Sequence, residues 1–325
     1  MANQRIYKHI AIRDETTWGV SATGTNKVIA VRTSTLNQNP NKAIVEETST
    51  SIKGRDRMTV GHNEIDGDIT GYASPRFLHH ALEWVNGSQG ATAALGSSAM
   101  TITYNQNVDG NLLSKTVLMD RNNTQEAFYG TRASKFSMNW ANDLVEAALT
   151  LMAKSRGIGA SVADVVGETV RPYEFADISV GIGGAAYVNP TVVFTSNGNF
   201  TYDNGQERSF LSGSRDAART DPNIPRLNGS IEIFHEGNSF ISPTYGCSEL
   251  YIRIEATTVS CHGLIAGTTP YYTRIDIPRV QFTTNTRNYE QAALAMETIE
   301  FEAMFNPGTS SLWTATQVVG FDIEA

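Results

Sequence analysis

The chain is poor in cysteine. Cys247 and Cys261 are the two in 325 residues, too few for a disulfide framework. They fall on neighbouring expected strands, so a bridge between them stays open, with free thiols in a reducing cytosol the preferred state. Charge is scarce too: Lys, Arg, Asp and Glu make up 18% of the chain, and the formal net charge is -8. Wrapping nucleic acid draws on clustered Lys and Arg, so that balance argues against it, while leaving room for DNA to pass the surface without sticking. No apolar run approaches the ~20 residues of a membrane span, and Met1-Ala2-Asn3-Gln4-Arg5 has no apolar signal core. The expectation is a protein made in the cytoplasm, without membrane contact, that stays soluble unless it assembles.

Signatures of catalysis are also missing. No Gly-x-Ser-x-Gly elbow occurs, and neither cysteine sits in a nucleophile context. Gly181-Ile182-Gly183-Gly184 lacks the Lys-Ser/Thr of a phosphate loop and reads as a turn between strands. His79 and Glu83 lie one helical turn apart, with His80 beside them, but no further ligand has suitable spacing. These histidines are expected at a helix surface or boundary. The reading is a protein that is not an enzyme, with no cofactor and no metal.

Hydrophobic residues reach 40%, and 27 glycines accompany many Thr, Ser and Asn, which indicates a β-rich globular protein. Its length suits two domains, each with its own core. One unit is written twice. A polar arm at about residues 34–60 precedes Ile65-Asp66-Gly67-Asp68-Ile69, and a second at about 204–226 precedes Asn228-Gly229-Ser230-Ile231. The first arm, rich in Asn and broken by Pro40, is expected to lack regular structure. Loops of this length are usually functional or disordered.

Residues 74–87 carry the clearest helix signal. Ser74 suits the N-cap, Pro75 the first turn and Gly87 the exit. Phe77, Leu78, Ala81, Leu82 and Val85 form one buried stripe. Residues 87–98 read as a loose connection. Phe136, Met138 and Trp140 alternate with polar neighbours and lead through a turn into residues 145–152, a hairpin with one buried face. In the second half, residues 275–282 and 298–305 form another hairpin, with its turn expected near 285–288. Domain bounds follow: residues 1–157, a linker at 158–171, and residues 172–325.

His62, Glu64, Asp66 and Asp68 share one strand parity. Residues two apart on a strand sit ~6.5 Å apart, so one strand cannot converge four ligands on a metal. A solvated sheet face, or an acidic face lining a channel and repelling phosphate, accounts for them better. Glu232 and Glu236 share a parity on the matching strand. In the arms, Lys42, Lys53, Arg55, Arg57, Arg208, Arg215 and Arg219 are separated mainly by polar residues and suit contact with an acidic neighbouring copy.

In order and spacing, these segments resemble the tail tube (major tail) proteins of long-tailed bacteriophages. Asp14-Glu15-Thr16-Thr17-Trp18-Gly19 looks like the family's opening segment. Gly67-Asp68-Ile69-Thr70-Gly71 looks like the strand after its arm, residues 77–87 like its helix, and residues 129–154 like its hairpin. Ile299-Glu300-Phe301-Glu302-Ala303 looks like its closing strand. The resemblance implies tandem duplicated β-sandwich or partial-barrel domains, with a short flanking helix in the first. It implies a structural virion protein whose rings stack through the arms around a channel that conducts DNA during ejection. Glu64, Asp66, Asp68, Glu232 and Glu236 become candidate channel-lining residues, and the seven arm cations candidate inter-ring contacts. Three copies would supply six repeats, a trimeric ring with pseudo-sixfold symmetry, with a hexamer as the other option. Partners would be the chain itself, a tape-measure protein and a tail terminator. The protein would reside in the virion tail after assembly in the host cytoplasm. A second reading is a two-domain β-sandwich adhesin or baseplate component that binds receptor or glycan. Exposed Trp residues would favour it, and Trp313 alone looks free.

Overall fold

A computed structural model of the chain describes residues 9–48, 53–88, 90–96, 98–107, 112–121, 124–141, 143–158, 170–184, 190–221, 223–234, 246, 248–258, 264–265, 268–288, 295–308 and 310–320. Strands dominate. In the first half they are β1 (His9–Asp14), β2 (Lys27–Ala30), β3 (Thr33–Ser34), β4 (Asn37–Thr48) and β5 (Lys53–Tyr72). Helix α1 (Pro75–Asn86) follows, then β6 (Ala91–Leu95), β7 (Ala99–Asn105), β8 (Lys115–Arg121), β9 (Thr124–Ala141), β10 (Glu146–Met152) and β11 (Ser155–Ile158). The second half has β12 (Ile178–Gly184), β13 (Thr191–Val193), β14 (Thr195–Asp203), β15 (Glu207–Ser209), β16 (Arg219–Asp221) and β17 (Arg226–Phe234). It closes with β18 (Leu250–Thr257), β19 (Leu264–Ile265), β20 (Thr269–Pro270), β21 (Tyr272–Asn288), β22 (Met296–Ala303) and β23 (Thr314–Gly320). The fold is mainly β, with large antiparallel sheets, one α-helix among the described residues and no closed barrel.

Helix α1 forms where its capping residues dictate. Ser74 Oγ accepts from the Phe77 N–H at 3.1 Å, Pro75 opens the first turn, and Gly87 ends the helix in the left-handed region at φ 71°. Phe77, Leu78, Ala81, Leu82 and Val85 are buried, and so are His79, His80 and Glu83. The histidines are therefore core residues, not surface or boundary ones, because sheet strands cover α1 on more than its apolar stripe.

One pairing pattern occurs in both halves. β9 is long enough to serve several ladders: residues 124–131 pair with β8 and residues 126–129 with β11, while residues 132–139 pair with β10. In the second half β21 does the same, pairing with β18 and β23 near its start and with β22 near its end. β10 pairs onward with β5, and β22 with β17. Gly67 lies opposite Leu151, and Gly229 opposite Phe301, so the two copies share a register. At Gly229 a Cβ would collide with the Phe301 ring and the Asn199 carbonyl, which is why glycine stands there.

The halves are joined by β14, which pairs with β17 on one edge and with residues 135–141 of β9 on the other. β4, β5, β10, β9, β14, β17, β22 and β21 consequently form one continuous run of strands. A second tie pairs β7 with β23. One apolar core runs behind these sheets, from Ile10 and Ile12 through α1 to Phe301 and Val319. At the β9–β14 junction it is aromatic. Phe136 meets Phe200 edge-on at 5.6 Å, and Trp313 sits 5.2 Å from Tyr202 and 6.4 Å from Phe136.

Several expectations are corrected. Trp313 is fully buried. The first arm is not irregular: β4 and β5 pair over residues 37–48 and 53–66 as a long hairpin, held by backbone bonds that tolerate its polar side chains. The stretch at 87–98 contains β6, and β21 continues as strand to Asn288, past the expected turn. Residues 159–169 of the linker, Glu236, Cys247 and Cys261 lie outside the described residues.

Candidate functional site

Register places a row of residues on one face of the joined sheet. Tyr72, Glu146, Asn139, Asn199, Ser230, Glu300 and Thr284 lie opposite one another from β5 across to β21. Two rows further along the strands, the same face holds Asp68, Thr150, Lys135, Asp203 and Arg226. Ile65, Ile69, Phe136, Met138, Phe200, Ile231 and Phe301 point the other way, into the core. Strict alternation thus divides an apolar side from a side of Ser, Thr, Asn and acids.

The described candidate channel residues, Glu64, Asp66, Asp68 and Glu232, fall on the polar face. Glu64 and Asp68 are exposed and Asp66 half-buried, alternating with buried Ile65 and Ile69. Glu232 is half-buried, taking a 2.6 Å hydrogen bond from the Ser196 hydroxyl and another from the Asn197 amide. Glu146, Asp203, Glu300 and Glu302 share the face and were not singled out from sequence, although strand parity alone could have found the last two. These eight carboxylates share the face with Lys135 and Arg226, and Lys135 is paired with Asp203 at 3.0 Å. Arg32 reaches Glu146 from beyond the strands. Among the described residues the face is polar and acidic.

The arms meet instead of standing apart. Arg208 Nη2 lies 2.7 Å from the Asp66 carboxylate, and its Nη1 donates to the Ile65 carbonyl at 2.9 Å. The Asn63 N–H donates to the Arg215 carbonyl at 2.8 Å, its side chain to Asp216 at 3.2 Å, and His62 packs on Phe210 with centroids 4.3 Å apart. The second arm therefore lies against the base of the first, and Arg208 is an internal anchor. Arg219 pairs with Asp221 at 2.9 Å while staying largely exposed. Lys42 and Arg215 are exposed. Lys53, Arg55 and Arg57 lie on β5, and their side chains lie outside the described residues.

The opening segment is structural. Glu15 accepts from the Gly130 N–H and the Thr116 hydroxyl, both at 2.8 Å, and from the Gly19 N–H at 2.9 Å. Trp18 donates to the Gly130 carbonyl at 2.9 Å with the Lys154 ammonium 4.5 Å from its ring centroid. Beneath it, Lys115 is fully buried between Glu83, at 2.9 Å, and Asp14. Burial raises the Asp14 carboxyl, but the Lys115 and Lys27 ammonium groups outweigh it and hold the group below its ordinary range. His79, His80 and Glu83 cluster closely enough to suggest ligands, yet Glu83 is engaged by Lys115 and His79 Nδ1 by the Tyr104 hydroxyl. Burial pushes His79 down to about 4 and His80 well below its usual value, so both are neutral core groups.

The phage tail tube protein family profile matches residues 8–304. The chain belongs to that family. A phage tail tube protein is a structural component of the virion tail that assembles with itself, so the family is one of building blocks. No curated protein matches the sequence. Among solved structures, the K. pneumonia MrkH protein in its apo state shares 9% identity, covering 68% of this chain and 76% of that one. Its TM-score of 0.16 carries no weight for the fold. No described helix of this phage tail tube protein is long and apolar enough to cross a membrane.

Proposed function

We propose that this tail tube protein forms rings of three chains with pseudo-sixfold symmetry, each chain supplying two tail-tube-like domains (residues 1–157 and 172–325). The rings stack through the two arms, and genomic DNA passes along their lumen during ejection. The observation that carries this reading is the joined sheet: one face is buried, the opposite face is polar and acidic, and an edge strand lies at each end. Unpaired sheet edges are a hazard in a monomer and a resource in a ring that pairs them. An acidic lumen repels phosphate, so DNA slides past without binding. A tape-measure protein would fill the lumen before DNA does, a terminator would cap the last ring, and assembly would take place in the host cytoplasm.

Electron microscopy of the purified protein and of virions tests this directly. Rings with six repeats built from three chains are expected; six chains per ring would overturn the trimer, and failure to form any tube would overturn the assignment. Replacing Glu64, Asp68, Glu300 and Glu302 together by lysine should leave tubes intact and slow DNA ejection. Unchanged ejection would place that face outside the lumen. The adhesin reading loses its support, because Trp84, Trp140 and Trp313 are buried and Trp18 is held against Gly130.

A further inference from the structure

The junction inside the chain provides a template for the junction between chains. Leu149 lies opposite Phe136, and Ile299 opposite Asn285, so Asn285 is the second-half counterpart of Phe136. By the same construction, Ser34 opposite Ile69 matches Gly198 opposite Ile231. Gln38 opposite Ile65 likewise matches Tyr202 opposite Leu227. Residues 33–39 thus correspond one-for-one with 197–203. In the first half, Tyr202 of β14 lies opposite Phe136 of β9. In the second half the equivalent flank of β21 at residues 284–286 carries no further strand among the described residues. The outer flank of residues 37–39 carries none either.

Resting on the ring reading above, we propose that the seam between copies is β21 of one chain paired antiparallel with β3–β4 of the next, with Asn285 opposite Gln38. Repeating the strand geometry of the internal seam gives each chain one donor edge and one acceptor edge, the head-to-tail arrangement that closes rings. The chemistry of the two seams differs. Inside the chain the core-facing pair is Tyr202 and Phe136, both buried. Between chains it is two amides, Gln38 and Asn285, both half-buried in the single chain. Asn285 Nδ2 donates to Glu297, whose carboxylate is almost fully buried, while its buried Oδ1 has no hydrogen-bond partner. Pairing gives the backbone groups on the outer flanks of residues 284–286 and 37–39 a strand partner. A polar seam also keeps the free edge soluble before assembly, which an aromatic one would not.

The test uses the full chain with Cys247→Ser and Cys261→Ser as parent, carrying Gln38→Cys and Asn285→Cys. After tube assembly and mild oxidation, non-reducing electrophoresis should show a reducible ladder that ends at three chains. Either cysteine alone should give none, and Asn39→Cys with Asn285→Cys, whose side chains leave opposite faces, should link at least tenfold less. Tubes that form normally without the 38–285 link, or that link better through 39–285, overturn the seam and leave the tube reading standing. A parent that never forms rings overturns the tube reading itself. If the paired cysteines block assembly, Gln38→Tyr with Asn285→Phe gives a second measurement. Recreating the internal seam should lower the concentration needed for polymerisation tenfold or more, and an unchanged or higher threshold counts against the seam.

Discussion

Arg208 and Asp66 join two parts of the chain 142 residues apart, the guanidinium of the second arm closing on the base of the first at 2.7 Å. The arginine side chain is 10% exposed and the aspartate 41%, so the pair lies between the surface and buried limits. Arg208→Ala removes it together with the bond to the Ile65 carbonyl. The expected loss is about 1 kcal/mol of stability. Faster proteolysis within residues 204–226 should accompany a small fall in melting temperature. Unaltered cleavage would mean the second arm is held by Asn63 and His62 alone.

Deleting residues 42–54 removes the distal part of the β4–β5 hairpin. The shortened chain should fold, remain soluble and make rings that no longer stack. Sedimentation and microscopy read this out, and full-length tubes from the shortened chain would relieve that arm of its role.

Gly198 lies beneath Trp140 at the β9–β14 junction, where a Cβ would enter the indole. Gly198→Ala should cost about 1–3 kcal/mol through overpacking. Gly184, which a Cβ would leave in open space, is the control, and Gly184→Ala should be within about 0.5 kcal/mol of the parent. Chemical denaturation of both variants decides whether the close approach matters.

Buried neutral histidines set a pH dependence. The folded His79 value of about 4 lies below the unfolded 6.5. Stability is therefore complete above pH 6.5, falls as the pH drops below it, and has lost this contribution in full below pH 4. At 1.36 kcal/mol per pH unit the loss from His79 is about 3 kcal/mol. Asp14 acts in the same direction but lower, its contribution being present above the ordinary carboxylate range and lost as acid protonates it. Melting temperature measured from pH 7 to 4 should fall, and His79→Asn should flatten the slope. A flat parent profile would mean the histidines take up protons in the fold as readily as in the unfolded chain.

Local signals made much of the fold legible. The cap set Ser74, Pro75 and Gly87 bounds α1, and the alternation of Phe136, Met138 and Trp140 marks β9, because both patterns are decided within one turn or one strand. The polar parity of Glu64, Asp66 and Asp68 was readable for the same reason. What escaped depends on distant partners. Trp313 sits in a short polar context and is buried by Phe136, Phe200 and Tyr202, all more than 100 residues earlier. The first arm looked irregular because hairpin bonds belong to the backbone, which Asn-rich sequence does not advertise. Arg208 looked like a free cation because nothing near it in sequence names Asp66.

β7 and β23 lie more than 200 residues apart, and they pair along Ala99 to Asn105. On the ribosome, at about 5–20 residues per second, β7 waits roughly ten to forty seconds for its partner to be made. Gln317 of β23 also reaches the Pro75 carbonyl and the Tyr104 hydroxyl, so the surroundings of α1 wait for that strand. The ladder beside α1 is thereby tied to the synthesis of β23, and a chain truncated before residue 314 carries an open ladder beside its helix in place of a finished building block.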